Sequence, residues 1–388
     1  MRLARLALEQ FRSYESAELH LDPGLTIVAG PNGAGKTNLL EAVFVGVTGR
    51  SPRTVADHEL VRHGAPFGRV RLDLADPAGG EGARVETVVP GIEPPAGLRK
   101  RVSVNGLARR SGSLGETVRA VLFRPEEMLL LVGSPSERRR FLDAILAQRD
   151  RRTARDLVEL ARVLAQRNAL LRAIRREDAT ADGLAFWDDQ LAVIGARVTA
   201  SRLALVRELG ARIGPLHDAV APPDELGDAV RLGYADSLKD AWPERDAGED
   251  GSTLEPAFRR RLAAVRQKEL WNGVSLVGPQ RDDLVVELGG RDVAAHASRG
   301  QQRTIILALK LAETDLLGTD GPRPIVLLDD LFSELDPERS ARALDLLAER
   351  GQVLVTMADP SAIPVARRAR VPIWQVGDGR LSLTPRVA

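Results

Sequence analysis

The sequence contains no cysteine, so it can form neither disulfides nor thiolate metal sites. This absence excludes the disulfide-stabilised scaffolds typical of small secreted proteins. The sequence also lacks any run of about 18 apolar residues, the length that a membrane-spanning helix needs. Charged residues interrupt the first apolar stretch at Glu9 and Arg12. We therefore expect a cytoplasmic protein that is neither exported nor inserted in a membrane.

Aromatic residues and net charge are also scarce. Aromatic residues make up 4% of the 388 residues, which argues against a platform for stacking nucleic-acid bases. Lys+Arg number 55 and Asp+Glu 54, leaving a formal charge of +1. A DNA partner would have to meet local basic patches rather than the bulk charge, although such patches are more often solvated faces. The candidates are Arg99, Lys100 and Arg101; Arg109 and Arg110; Arg138, Arg139 and Arg140; Arg149, Arg151 and Arg152; and Arg259, Arg260 and Arg261.

The N-terminal third has the pattern of mixed α/β structure. A buried strand is predicted at 25–29, and a helix is predicted after the glycine-rich stretch at 30–37 because apolar residues recur there at helical spacing. Further strands are predicted near 69–75, 84–89 and 100–104, the last ending at a typical turn pair, Asn105-Gly106. With 44% apolar residues, the chain can build one large domain and a smaller one.

A helical insert follows from Ser136 to about residue 218, where apolar residues repeat at spacings of three and four. Two antiparallel arms of about 40 residues would reach about 60 Å at 1.5 Å per residue. Residues 221–253 are predicted to be an exposed connection, and a helix from about 255 to 270 leads back into α/β sequence. The predicted division is an N-terminal head part at 1–133, a helical arm at 134–273 and a C-terminal head part at 274–388.

Residues 30–37 fit the phosphate-binding pattern G-x-x-x-x-G-K-[ST], between a predicted strand and a predicted helix. The residues are Gly30, Pro31, Asn32, Gly33, Ala34, Gly35, Lys36 and Thr37. In this motif, backbone N–H groups surround the phosphates, the lysine bridges the β- and γ-phosphates, and the hydroxyl binds Mg²⁺. A tight strand-to-helix turn is the alternative, and the flanking pattern disfavours it. The sequence therefore predicts an ATP and Mg²⁺ site.

A second element of this site is predicted at the end of the apolar strand 324–328, which is followed by Asp329 and Asp330. Two acids at a strand end are often a solvated turn. In a chain with a phosphate-binding loop, however, they predict a metal acid and a catalytic acid. We expect Asp329 to hold a water bound to Mg²⁺ and Asp330 to orient or deprotonate the attacking water.

A third element is the segment Ser298-Arg299-Gly300-Gln301, which precedes a helical run. Ser298 is well placed to be an ordinary helix N-cap. The segment also resembles the ABC signature Ser-Gly-Gly-Gln, whose serine and glycine bind the γ-phosphate held by a partner subunit. Ser298, Gly300 and Gln301 are therefore candidates for contacting ATP in a second copy of the chain.

The segment after Asp330 resembles the ABC D-loop, with Ser333 and Asp336 as its candidate residues. Asp336 precedes Pro337 and would also serve as a helix N-cap. The usual switch histidine should fall near Thr356, where there is no histidine. The residue that senses the γ-phosphate therefore stays open at this point.

With these elements placed, the chain resembles the RecF family of bacterial recombination mediators along nearly its whole length. The segments that carry this resemblance are Phe11-Arg12-Ser13-Tyr14, 123–127, 133–143, 166–171 and Gly278-Pro279-Gln280-Arg281-Asp282-Asp283. In the last segment, Gln280 replaces the family histidine. The resemblance implies an α/β ABC-type ATPase head with a mixed sheet, flanking helices and an inserted helical arm. It also implies weak DNA-stimulated ATP hydrolysis, dimerisation on ATP, and binding to gapped DNA or single-strand/duplex junctions. A role in DNA repair and replication, loading RecA together with RecR and RecO, is implied as well.

Three other functions are compatible with a head of this type. A transporter ATPase would be shorter and would serve a membrane partner. Chromosome-structuring relatives need far longer coiled coils than residues 136–218 allow. A nucleotide-gated DNA clamp with negligible hydrolysis remains open, and measuring DNA-stimulated turnover separates it from a working ATPase.

Overall fold

A computed structural model describes residues 1–238, 241, 251–330, 337–360, 371–377 and 379–384. The chain divides into two compact units. Unit 1 comprises Met1–Glu127, Leu216–Leu226 and Ile306–Ala388, and unit 2 comprises Met128–Pro215 and Gly227–Ile305. The domain boundaries predicted at 133 and 273 stay predictions. The boundaries between the compact units fall after Glu127 and after Ile305.

The bounds of the elements are as follows. The strands are β1 (Arg2–Phe11), β2 (Tyr14–His20), β3 (Leu25–Ala29), β4 (Phe67–Ala75), β5 (Ala83–Pro90), β6 (Arg101–Val104), β7 (Leu107–Arg109), β8 (Ala120–Phe123), β9 (Val230–Ala235), β10 (Asp283–Leu288), β11 (Arg291–Asp292), β12 (Ile325–Asp329), β13 (Val353–Met357), β14 (Ile373–Gly377) and β15 (Arg380–Leu383). The α-helices are α1 (Lys36–Thr48), α2 (Leu129–Val132), α3 (Pro135–Arg149), α4 (Arg151–Arg175), α5 (Leu184–Val220), α6 (Gly251–Asn272), α7 (Val293–His296), α8 (Arg299–Thr319) and α9 (Pro337–Arg350).

Unit 1 contains two sheets. One is antiparallel, in the order β2-β1-β4-β5-β6-β7, and the other has the order β15-β14-β3-β13-β12-β8. In the second sheet, β14, β3, β13, β12 and β8 are parallel neighbours, and β15 is antiparallel to β14. The carboxyl ends of β3, β12 and β13 therefore meet at one edge, where ligands bind in open α/β sheets.

Helix α1 lies between the two sheets of unit 1, because it contacts β4 and β5 on one side and β8, β12 and β13 on the other. A helix covered on both sides needs apolar residues around most of its surface rather than along one stripe. Its buried residues include Leu39, Leu40 and Val43. At Gly46 a Cβ atom would lie 2.7 Å from Leu72 Cδ1, so the close approach of α1 to β4 requires glycine.

Unit 2 consists of helices and a small antiparallel sheet with the order β11-β10-β9. Helix α4 packs against α3 and α6. Apolar side chains from α4, α5 and α6 form its core, including Leu160, Leu191 and Phe258. None of the described helices is both long and apolar enough to cross a bilayer.

Several elements predicted from the sequence are confirmed. The buried strand predicted at 25–29 is β3, and the helix after the glycine-rich loop is α1. The strands predicted near 69–75, 84–89 and 100–104 are β4, β5 and β6. Asn105 and Gly106 take φ values of 51° and 79°, the left-handed pair that a tight hairpin turn requires.

The prediction of two arms of about 40 residues is confirmed for one arm and wrong for the other. Helix α5 is continuous over 37 residues, whereas the first arm is divided into α3 and α4. Helix α3 ends at Arg149 and α4 begins at Arg151, because the Asp150 carboxylate between them accepts N–H groups of Arg152 and Thr153 at 3.1 and 2.7 Å. This is an N-cap, which starts a new helix rather than continuing the old one. At 1.5 Å per residue the 25 residues of α4 span only about 37 Å.

The prediction of an exposed connection over 221–253 is also wrong in part. Val230–Ala235 forms β9, which pairs with β10 about fifty residues further along the chain, from Asp283↔Ala235 to Leu288↔Val230. The helix predicted from about 255 to 270 is confirmed as α6.

A buried arginine joins three helices of unit 2. Arg167 of α4 is completely buried, and its Nη2 donates to Asp188 Oδ1 of α5 and Glu269 Oε2 of α6, both at 2.6 Å. Its Nη1 donates to Ser275 Oγ at 2.8 Å. A buried cation is stable only when its donors are paired in this way.

We expect Arg167→Ala to lower the free energy of unfolding by about 3–5 kcal/mol, because two carboxylates would be left without their buried partner. Denaturant unfolding followed by circular dichroism measures this loss. The matched control is Arg162→Ala on the same helix, which removes only the exposed pair with Glu159 and should leave the free energy of unfolding close to that of the wild type. Equal losses in the two variants would contradict a structural role for the Arg167 network.

Candidate functional site

The loop between β3 and α1 is built to hold an anion. Helix α1 begins at Lys36, its N-cap Gly35 has φ 107°, and no described side chain caps the helix or places an acid in its first turn. At Gly35 a Cβ atom would lie 2.8 Å from Ser13 Oγ, and the positive φ also favours glycine. The N–H groups of the first turn are thus left for a ligand such as phosphate.

Lys36 lies within this loop. Its side chain is largely buried, and its Nζ donates to the carbonyl oxygens of Gly30 and Pro31 at 2.7 and 3.0 Å. These contacts hold the ammonium group inside the loop. A positive charge at the start of a helix with uncapped N–H groups makes a strong phosphate site.

The segment Phe11-Arg12-Ser13-Tyr14 braces the loop and α1. The Tyr14 hydroxyl donates to Gly35 O at 2.9 Å, and its burial raises the pKa of the phenol. Arg12 binds the buried carboxylate of Glu41 on α1 through two hydrogen bonds of 2.9 Å. Sequence reasoning missed Glu41, whose signal was a lone acid within the otherwise apolar stretch 39–47 of α1.

The two predicted halves of the site meet at Thr37 and Asp329. Thr37 Oγ1 donates to Asp329 Oδ1 at 3.1 Å, joining the start of α1 to the end of β12. Asp329 is buried, and burial raises its pKa while hydrogen bonds from Thr356 and Thr37 act in the opposite direction. A buried carboxylate of this kind is stabilised by a nearby cation.

Asp330, the predicted catalytic acid, follows directly. It is partly exposed, and its φ of 47° lies in the left-handed region that non-glycine residues rarely adopt. Its N–H donates to Thr356 O at 3.2 Å and to Thr356 Oγ1 at 3.1 Å. The backbone at Asp330 is therefore held by the neighbouring strand β13, and Thr356 lies near the position where a switch histidine was expected.

The residues at this position fit a magnesium ion. Mg²⁺ prefers hard oxygen ligands, and the Thr37 hydroxyl and the Asp329 carboxylate provide them next to the phosphate-binding loop. Magnesium in such sites is completed by phosphate oxygens and waters.

The signature segment begins helix α8 in unit 2. Ser298 Oγ accepts the N–H of Gln301 at 3.2 Å, while Gln301 Oε1 accepts the N–H of Ser298 at 2.9 Å. This reciprocal pair is a capping box, so the N-cap interpretation of Ser298 is confirmed. Ser298 is exposed. The contact of Ser298, Gly300 and Gln301 with ATP in a second copy stays a prediction, and Ser333 and Asp336 lie outside the described residues.

The segment Gly278–Asp283 has a structural role in unit 2. Asp282 is completely buried and accepts hydrogen bonds from the Tyr234 hydroxyl at 2.9 Å and the Ser237 N–H at 2.8 Å. Burial raises the pKa of Asp282 to about 6 despite these donors. Gln280, at the position of the family histidine, donates through Nε2 to Val277 O at 2.8 Å.

The basic clusters divide into paired and exposed residues. Arg138 forms a bidentate pair with Asp283 at 2.7 and 2.8 Å, Arg149 pairs with Glu208 at 3.0 Å, and Lys100 pairs with Asp57 at 2.6 Å. These cations are already matched to acids. Arg139 and Arg260 donate hydrogen bonds to main-chain carbonyls. Arg101 lies 3.7 Å from Glu86. Arg140 pairs with Glu137, and Arg259 pairs with Asp189. The exposed members include Arg99, Arg109, Arg110, Arg151 and Arg152.

Comparison with known proteins matches this architecture to one family. The model of the RecF/RecN/SMC N terminal domain matches residues 2–375. Two relatives described as DNA replication and repair protein RecF, from Roseiflexus castenholzii and Chloroflexus aurantiacus, are each 39% identical. Both alignments cover 98% of this chain and 99% of the relative.

Solved structures give the same result. A structure of the recombination mediator protein RecF-ATPrS in the RecFOR pathway has a TM-score of 0.87 and 26% identity, covering 99% of this chain and 98% of the other. The corresponding RecF-ATP structure has a TM-score of 0.86 and 27% identity, with the same coverage. An Smc head bound to the C-winged helix domain of ScpA shares the fold, at a TM-score of 0.54 and 15% identity, covering 99% of this chain and 97% of the other. The predicted ABC-type ATPase fold is thereby confirmed, and the chain belongs to the RecF family.

Proposed function

We propose that this protein is a Mg²⁺-dependent ATPase that binds DNA when ATP joins two copies of it. The observation that carries the proposal is the hydrogen bond between Thr37 and Asp329, which brings the phosphate-binding loop and the strand-end acids into one site. Relatives of similar fold are described with ATP and ATPrS, which supports the choice of nucleotide.

Each residue of the site has a proposed role. The N–H groups at the start of α1 bind the β-phosphate, and Lys36 exchanges its contacts with Gly30 O and Pro31 O for the β- and γ-phosphate oxygens. Thr37 and Asp329 would hold Mg²⁺, which would supply neutralisation of the phosphate charge. Asp330 orients the attacking water and accepts its proton.

A second copy of the chain would complete the site. The proposed contacts to the γ-phosphate are Ser298, Gly300 and Gln301 of that copy, at the exposed N-terminus of a 21-residue helix. Ser333 and Asp336 are proposed to contribute a D-loop between the copies. This arrangement would make dimerisation depend on ATP.

DNA is the proposed macromolecular partner. Curated relatives are described as DNA replication and repair proteins, and the similar structures are assigned to the RecFOR pathway. We propose binding to gapped DNA or single-strand/duplex junctions, with RecR and RecO as partners in loading RecA. Arg99, Arg109 and Arg110 are proposed phosphate contacts on unit 1 because they are exposed near β6 and β7.

Lys36→Ala should abolish ATP binding, because the loop loses the cation that faces the phosphates. Isothermal titration with ATP and Mg²⁺ measures this loss. The control Lys268→Ala removes an exposed lysine of α6 and should bind ATP like the wild type. If Lys36→Ala retained wild-type affinity, the nucleotide site would have to lie elsewhere.

Asp330→Asn should retain ATP and Mg²⁺ but slow hydrolysis by about 10²-fold or more, since it cannot accept a proton from the attacking water. Single-turnover phosphate release measures the chemical step, and exposed Glu349→Gln is the matched charge control. Normal release from Asp330→Asn would assign the acid–base role to another residue. A wild type whose turnover is negligible even with DNA would instead favour a clamp that does not rely on hydrolysis.

A further inference from the structure

The acid pair is held by Thr356, which lies near the position expected for the switch histidine but carries a hydroxyl instead of an imidazole. Thr356 lies on β13 directly beside Asp329 of β12, and the two are register partners in the parallel sheet. Its side chain is completely buried, so its hydroxyl cannot exchange its protein partners for water. A buried hydroxyl needs such partners because an unsatisfied one is costly.

The Thr356 hydroxyl contacts both acids. It donates to Asp329 Oδ1 at 2.8 Å and accepts the N–H of Asp330 at 3.1 Å. The carbonyl of Leu328 is a second possible acceptor at 3.3 Å. The bond to the carboxylate is shorter, and hydrogen bonds to ionised groups are the stronger ones, so the single hydroxyl proton is assigned to Asp329.

Two consequences follow from these contacts. Thr37 and Thr356 both bind Oδ1 of Asp329, which fixes the carboxylate and leaves Oδ2 for other ligands. The bond from the Asp330 N–H helps to keep Asp330 at its left-handed φ of 47°, a conformation that costs a non-glycine residue of order 1 kcal/mol or more. One hydroxyl therefore fixes both the side chain of the first acid and the backbone of the second.

We propose that Thr356 is a positioning residue that sets the Mg²⁺ response of the nucleotide site by holding Asp329 and Asp330 in one arrangement. This inference rests on the proposed ATPase function. In this proposal Thr356 acts through the two acids rather than through a contact of its own with nucleotide. It therefore affects the site when the metal binds and not when nucleotide binds without metal.

Three variants test this role. Thr356→Val has nearly the same shape but removes the hydroxyl, and Thr356→Ser keeps it. Thr26→Val is the matched control: Thr26 is completely buried on the adjacent strand β3, and its hydroxyl has no hydrogen-bond partner among the described residues. The two valine variants keep the volume of the side chain, and Thr356→Ser loses one methyl group but keeps the hydroxyl.

The experiment measures binding of a fluorescent ATP analogue in EDTA and then across a Mg²⁺ titration, followed by single-turnover hydrolysis. Thr356→Val should match the wild type in EDTA, need about tenfold more Mg²⁺ for the half-maximal response, and hydrolyse at least about tenfold more slowly, as expected for loss of a charge-assisted hydrogen bond. Thr356→Ser and Thr26→Val should stay close to the wild type.

Two results would overturn the inference. One is a Mg²⁺ titration of Thr356→Val that coincides with the wild type. The other is an equal loss of affinity with and without Mg²⁺, which would indicate a general packing role. A wild type that binds no nucleotide would overturn the proposed function itself, so the two failures are distinguishable.

Discussion

The hydrogen bond between Thr37 and Asp329 is the contact on which the nucleotide site depends. It joins residues 292 positions apart in the sequence. The parallel sheet makes this possible, because β3 and β12 both pair with β13 and end at the same edge. Helix α1, enclosed between the two sheets of unit 1, then fixes the position from which Thr37 reaches the acid.

Three of the segments that carry the family resemblance outside the loop support structure. Phe11–Tyr14 braces the loop through Tyr14 and helix α1 through the pair of Arg12 with Glu41, and residues 166–171 supply the buried Arg167. The segment 278–283 supplies Asp282, which ties β9 and the following turn together. Resemblance to a family thus identified these residues, whereas only the contacts show that they stabilise the fold.

The sequence predicted the strands and the helix that carry the candidate site because its motifs are local. A strand, a glycine loop and a helix placed Lys36 and Thr37, and an apolar strand with two acids placed Asp329. The missed features depend on contacts between distant segments. Strand β9 needs a partner about fifty residues away, the cap at Asp150 interrupts a regular apolar pattern, and the role of Thr356 depends on strand register.

The central claim is that ATP joins two copies and so enlarges the surface that meets DNA. The most direct test is a salt titration of binding to gapped DNA, with and without ATP and Mg²⁺, on the wild type and on Ser298→Arg, which should bind ATP but not dimerise. For the wild type, ATP should tighten DNA binding. It should also make log affinity fall more steeply with log salt, by about 0.9 for each additional duplex phosphate that the protein neutralises. Ser298→Arg should show neither change. Equal affinities and equal slopes in all four measurements would contradict the account.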